Sequence, residues 1–86
     1  MEIFYTAQFA RLYKKIPDEI KRKAEKRETL FRENPFAPSL KTHKLQGDLS
    51  DFWSFTIDFR NRIIFEFKDD RTAVIFHSIG DHDMYR

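Results

Sequence analysis

An α+β domain is the fold class that this sequence predicts, in the order β-α-α-β-β-β, with two N-terminal helices packed on one face of a small, mostly antiparallel sheet. Three observations lead there. After a four-residue strand signal, the first half carries apolar residues at helical spacing. The second half carries them at every other position, so helices come first and strands follow in a run, the arrangement that lays helices on one face of a sheet. The 86 residues also include ten Phe, three Tyr and one Trp, with 41% of the chain hydrophobic. That density suits a single small core, because a short chain has much surface for its volume and aromatic rings bury large areas. One domain spans residues 1–86, without repeats or low-complexity segments.

Residues 2–5 read as a short strand. Thr6 suits an N-cap, and Phe9, Leu12, Tyr13 and Ile16 follow at i, i+3, i+4 and i+7, one apolar stripe on a first helix. Pro17 fits the first position of a second helix, with Asp18 and Glu19 in the turn where the helix dipole favours acids. Ile20, Ala24, Leu30 and Phe31 form the apolar side of this helix. Its remaining positions are crowded with Lys, Arg and Glu; the run over residues 21–27 has the look of a nucleic-acid patch, but the interleaved acids favour a solvated helix face. Asn34-Pro35 ends the helix, because the residue before a proline is biased out of the α region.

Residues 36–49 form a connector with two further breakers, Pro38 and Gly47. Over residues 52–58, Trp53, Phe55 and Ile57 alternate with Ser54, Thr56 and Asp58, which marks a half-buried strand. Residues 61–67 place Ile63, Phe65 and Phe67 on one face and Arg62, Ile64 and Glu66 on the other. A turn over 68–71 leads to a β-branched and aromatic last strand, 72–79, and then a polar tail, 80–86. The last three strands are expected to form an antiparallel meander with the helices on the Trp53/Phe65 face. The first strand is expected at an edge, and the face carrying Thr56, Arg62 and Glu66 is expected to stay open.

Composition excludes several functions. With no Cys there are no disulfides and no thiolate–metal sites, which fits a reducing compartment. No apolar run approaches the roughly 18 residues of a membrane span, and the N-terminus lacks the basic and apolar regions of a signal peptide, so the expectation is a cytoplasmic protein away from membranes. The two glycines, Gly47 and Gly80, make no phosphate-cradling loop. A net charge of +2 with 35% charged residues is compatible with RNA or with an acidic partner.

An arginine on the polar face of a central strand has two accounts. Arg62 pairs with Glu66 or Asp58, an exposed ion pair of little worth, or it forms an anion site, since a guanidinium fork matches phosphate oxygens. Of the three histidines, His77 reads as a half-buried strand residue, His43 lies in the connector, and His82 sits between Asp81 and Asp83. Those acidic neighbours favour the protonated form of His82, which suits a general acid. One imidazole near Arg62 and another across the sheet would supply base, acid and anion stabiliser for phosphoryl transfer. The spacing of His43, His77, His82 and Asp83 matches no metal-binding pattern.

Four blocks in order, Leu45-Gln46-Gly47-Asp48-Leu49, Phe52-Trp53-Ser54, Arg62-Ile63-Ile64-Phe65 and Gly80-Asp81-His82-Asp83-Met84-Tyr85, resemble the successive motifs of RelE/ParE toxins, most of all the YoeB and YafQ branches. The resemblance spans nearly the whole chain and implies the RelE-like fold and a toxin of a type II pair, silenced by an antitoxin protein. RelE-like members cleave mRNA on the ribosome: the RNA 2′-hydroxyl attacks the adjacent phosphate, leaving a cyclic phosphate and a free 5′-hydroxyl, with no metal or other cofactor required. On this resemblance His43 matches a general-base position, Arg62 the strand arginine that neutralises the scissile phosphate, and His82 the C-terminal general acid. Tyr85 matches a near-terminal tyrosine that stacks on a base or orients the phosphate. Lys41, Lys44 and Arg60 are the further candidates for RNA contact.

The chain departs from the pattern where RelE has strand lysines, at Ser54 and Thr56, and Thr56 also stands where the YoeB pattern has a second arginine. Two other outcomes therefore accompany the nuclease reading. One is a ParE-like toxin that inhibits DNA gyrase without catalysis. The other is an inactive relative that only binds its antitoxin. In every case an antitoxin segment is expected to cover the open sheet face or the helix surface, with the first strand or a helix groove as its dock.

Overall fold

The computed structural model describes residues 1–81. Its five strands form one sheet in the order β1-β5-β4-β3-β2, with β1 Glu2–Tyr5, β2 His43–Lys44, β3 Trp53–Thr56, β4 Asn61–Lys68 and β5 Ala73–Asp81. Helices α1 (Ala7–Lys15) and α2 (Asp18–Glu33) lie between β1 and β2 in the chain. The last three strands are the expected antiparallel meander, and β1 joins β5 in parallel at an edge. A parallel partner needs a long crossover, which the two helices and the connector provide.

Local signals explain the helices. Thr6 is the N-cap of α1: its hydroxyl oxygen accepts from the Phe9 backbone N–H at 3.0 Å and donates to the His77 carbonyl at 3.2 Å. One residue therefore starts the helix and ties it to β5. Pro17 stands one position earlier than expected, at the N-cap of α2, where its carbonyl accepts from Ile20 and Lys21 at 3.0 Å. The reason is Ile16, which precedes the proline and is extended (ψ 151°), so the helix begins after Pro17. Asn34 ends α2 in an extended conformation before Pro35.

The core sits between α2 and the sheet. Phe31 is fully buried, its ring 4.6 Å from Phe55, 4.9 Å from Phe65 and 5.7 Å from Phe76, centroid to centroid. Phe9 of α1 meets Phe76 at 5.5 Å. Ile57, Ile63, Val74 and Ile79 complete the buried cluster. At the end of the sheet the Arg71 guanidinium lies 5.0–5.3 Å from the rings of Phe36, Trp53 and Phe67, which lets a cation cover apolar surface.

Two features go beyond the expected strand pattern. The connector contributes β2, whose His43 and Lys44 pair with Ser54 and Trp53. Two residues carry no periodicity of their own, so only the partner strand reveals this one. The second feature is a bulge: Ile64 faces Ser78 but the next residue, Phe65, faces Phe76, which leaves His77 as the extra residue in β5. Strict alternation would put Ile75, His77 and Ile79 on one face. The bulge resets it, so that Val74, Phe76 and Ile79 are all buried while His77 is half-buried beside Glu66.

The β3–β4 turn is held by Asp58. Its carboxylate accepts from the backbone N–H of Arg60 (2.9 Å) and Asn61 (2.8 Å) and from Asn61 Nδ2 (3.2 Å), with Lys23 Nζ at 3.7 Å. Partial burial pushes this carboxyl up, but those hydrogen bonds and the Lys23 charge outweigh it, and the net pKa is lowered. A carboxyl whose folded pKa is lowered stabilises the fold above its unfolded pKa and loses that contribution as pH falls through the folded value. The Tm gap between wild type and Asp58→Asn is therefore expected to be widest at pH 7 and to close below about pH 4, near the ordinary range of an aspartate. A gap that is constant from pH 7 to pH 2.5 in thermal melts would refute this role.

Candidate functional site

The sheet face turned away from the helices carries a row of four registered residues, His43, Ser54, Ile64 and Ser78, and beside it a second row, Thr56, Arg62 and Gly80. At the β2 end this face folds into a cleft of about 300 Å³ lined by Lys41, His43, Ser54, Thr56, Phe59 and Arg62. Three of the residues singled out from the sequence, Lys41, His43 and Arg62, thus come together from the connector, β2 and β4.

Lys41 owes its place to the backbone. It closes the short 3-10 turn Pro38–Leu40 in the left-handed conformation (φ 51°), with its N–H bonded to the Pro38 carbonyl at 3.2 Å. The Thr42 hydroxyl pins the same segment to the Pro35 carbonyl at 2.5 Å. This bend brings the Lys41 carbonyl 2.9 Å from His43 Nδ1. A carbonyl can only accept, so Nδ1 carries the proton, and in the neutral ring Nε2 is left with the lone pair. That is the tautomer a general base needs.

Arg62 is half-buried and forms no ion pair among the described residues. The acids that the sequence offered it are engaged elsewhere. Asp58 is turned into the β3–β4 turn and toward Lys23, and Glu66 meets His77 Nε2 at 3.1 Å and Lys68 Nζ at 3.3 Å. Partial burial acts to raise the Glu66 carboxyl, but those two partners outweigh it and leave it lowered. Among the described residues no carboxylate lines the cleft. A half-buried guanidinium with no ion pair among the described residues suits a bound anion, and its fork fits phosphate oxygens.

Ser54 and Phe59 belong to the cleft but were not selected as site residues from the sequence. Ser54 is 1% exposed and its hydroxyl has no hydrogen-bond partner among the described residues. Its strand alternation with Phe55 does place it on the polar face, but burial there depends on β2 covering it. Phe59 is 89% exposed, and the signal available in sequence was an aromatic residue at the tip of a tight turn.

The other candidates lie apart. Lys44 is registered with Trp53, on the opposite face from His43. Arg60 points to Asp81, 3.3 Å from its carboxylate. His77 packs on Glu66 and, edge to face, on Phe52 at 4.9 Å. His82 and Tyr85 lie outside the described residues. Among the described residues no group of three or more His, Asp or Glu side chains is arranged to hold a metal, and no helix is long and apolar enough to cross a membrane.

No protein-family model and no curated protein matches the chain. Solved structures do. YafQ from E. coli strain BL21(DE3) superposes with a TM-score of 0.81 at 20% identity, covering 98% of this chain and 96% of that one. The YoeB/ParE toxin from Agrobacterium tumefaciens gives 0.79 at 19% identity, over 95% and 99%. The E. coli DinJ-YafQ toxin-antitoxin complex gives 0.78 at 21% identity, over 96% and 93%. With such near-complete mutual coverage, the fold of this chain is that of the RelE/ParE toxins, of the YoeB and YafQ kind.

Proposed function

We propose that this chain is the toxin of a type II toxin–antitoxin pair and cleaves mRNA on the ribosome. The observation that carries this reading is the pairing, in one cleft, of a histidine whose Nδ1 is held by a carbonyl and an arginine that forms no ion pair among the described residues. In the proposed step His43 Nε2 takes the proton of an RNA 2′-hydroxyl, whose oxygen bonds to the adjacent phosphorus. Arg62, with Lys41 beside it, offsets the negative charge that builds on the phosphate oxygens. The bond from phosphorus to the 5′-oxygen breaks, and that oxygen takes a proton from the His82 imidazolium. The products are a 2′,3′-cyclic phosphate and a free 5′-hydroxyl.

The partner in this reading is an antitoxin segment, supported by the structural likeness to a toxin solved with its antitoxin. Its dock is the outer edge of β1 with the adjoining groove of about 500 Å³, where Tyr5, Phe9 and Tyr13 offer apolar surface between Lys14 and the pair Glu25 and Glu28.

A reconstituted translation system tests the function. Primer extension is expected to reveal cuts within ribosomal A-site codons with the wild-type chain and none with Arg62→Ala or His82→Ala. Intact mRNA throughout would sink the nuclease reading. Gyrase inhibition in a supercoiling assay would then support the ParE-like alternative, which the modest net charge of +2 favours. Absence of growth arrest on induction would leave the antitoxin-binding relative.

A further inference from the structure

Two features of the cleft have no part in acid–base chemistry. Phe59 is 89% exposed, while the backbone on both sides of it is fixed. The Asp58 carboxylate holds the N–H groups of Arg60 and Asn61, the Thr56 hydroxyl donates to the Asp58 carbonyl, and Ile57 N–H bonds the Asn61 carbonyl at 2.8 Å. A single exposed aromatic is ordinary on a protein surface. This one stands on a rigid turn in the wall of a cleft whose two cations, Lys41 and Arg62, have no carboxylate partner among the described residues. The second feature is the Ser54 hydroxyl, buried to 1% exposure and lining the same cleft without a partner among the described residues. Buried polar groups are nearly always hydrogen-bonded, so an orphan in a cleft wall points to a ligand atom that completes it.

A ring at the rim, cations on the walls and a lone hydroxyl inside match the parts of a nucleotide: a π-face, a phosphate and a sugar or phosphate oxygen. We propose that Phe59 is a stacking platform for a nucleobase of the bound single-stranded RNA, and that the Ser54 hydroxyl bonds an oxygen of the same strand. The proposal rests on the RNA reading above and extends it to base recognition. Stacking is tolerant of base identity, so Phe59 sets affinity more than codon choice. The backbone that carries the ring is already held by the turn, so binding has to order only the side chain itself.

The experiment is ribosome-dependent cleavage of one mRNA by wild type, Phe59→Ala, Phe59→Trp, Phe59→Leu and Ser54→Ala, with a thermal melt of each. Phe59→Ala is expected to lower kcat/KM by roughly 5- to 100-fold, from the usual worth of one stacked base, with an unchanged Tm because the ring is exposed. Trp is expected to restore the activity and Leu is not. Ser54→Ala is expected to cost about 3- to 10-fold in kcat/KM while raising Tm by a few degrees, since it removes a polar group that the free protein leaves unbonded. An active wild type with an equally active Phe59→Ala overturns the proposal alone. So does rescue by Leu equal to that by Trp, which would mean apolar contact with a protein surface. A wild type that cleaves nothing overturns both this proposal and the nuclease reading.

Discussion

Arg62→Ala is expected to lower mRNA cleavage by about 10²- to 10³-fold while leaving the fold intact, the loss typical of removing one preorganised stabiliser of transition-state charge. The size follows from the isolation of this guanidinium. Nearby Asp58 and Glu66 are committed to other partners, and no acid lines the cleft, so nothing on the described protein neutralises it in advance. Its charge is therefore available to an anion. The same isolation sets the stability result: with no ion pair to lose, Arg62→Ala should melt at or slightly above the wild-type temperature. Arg62→Lys keeps the charge but loses the two-pronged geometry, and intermediate activity is expected. A marked drop in Tm for Arg62→Ala would mean that the arginine holds the sheet together, and the loss of cleavage would then say nothing about charge stabilisation.

Phe31→Ala is expected to be the most damaging single change to the fold. This ring is fully buried and meets Phe55, Phe65 and Phe76 at once, one residue from each of the three central strands. Truncating a buried Phe to Ala costs about 3–5 kcal/mol, against a total of roughly 5–15 kcal/mol for a domain. At about 4–8 °C per kcal/mol for a domain of this size, the melting temperature should fall by some 12–40 °C. Circular dichroism melts would show it. A fall below about 5 °C would mean that α2 is not seated on the sheet through this ring. The effect reaches the cleft as well, because β3 and β4, which carry Ser54, Thr56 and Arg62, are backed by Phe55 and Phe65 on the other face.

The residues that close the cleft are held by two kinds of force. The Thr6 cap, the Asp58 turn and the strand ladders are local or near-neighbour hydrogen bonds, and they set the outline of the sheet. The aromatic core then fixes how α2 lies on it. The helices cover only the other side, so the cleft residues stand on the face away from them, where Ser54, Ile64 and Ser78 are buried and Thr56 and Arg62 are half-buried.

Much of this was legible in the chain itself. Alternation over Trp53, Ser54, Phe55 and Thr56 and over Ile63 to Phe67 assigned faces correctly, because side chains on a strand point to opposite sides in turn. The stripe of Phe9, Leu12, Tyr13 and Ile16, the Thr6 cap and the stop at Asn34-Pro35 are likewise properties of neighbours in sequence, and they placed both helices. The edge position of β1 followed from the absence of a short hairpin. What tertiary structure alone decided was which distant groups meet. The strand His43–Lys44 exists because β3 offers it hydrogen bonds, and the bulge at His77 moves Ile79 into the core against simple alternation. The role of Arg62 was undecided in sequence, where an ion pair with Glu66 or Asp58 and an anion site were both open. Register and packing sent those acids to Lys23, His77 and Lys68, and so left the guanidinium without an ion pair among the described residues. Periodicity is a short-range quantity that a chain carries with it. The pairing of charges depends on distances across the sheet, and these come into being only when the strands align.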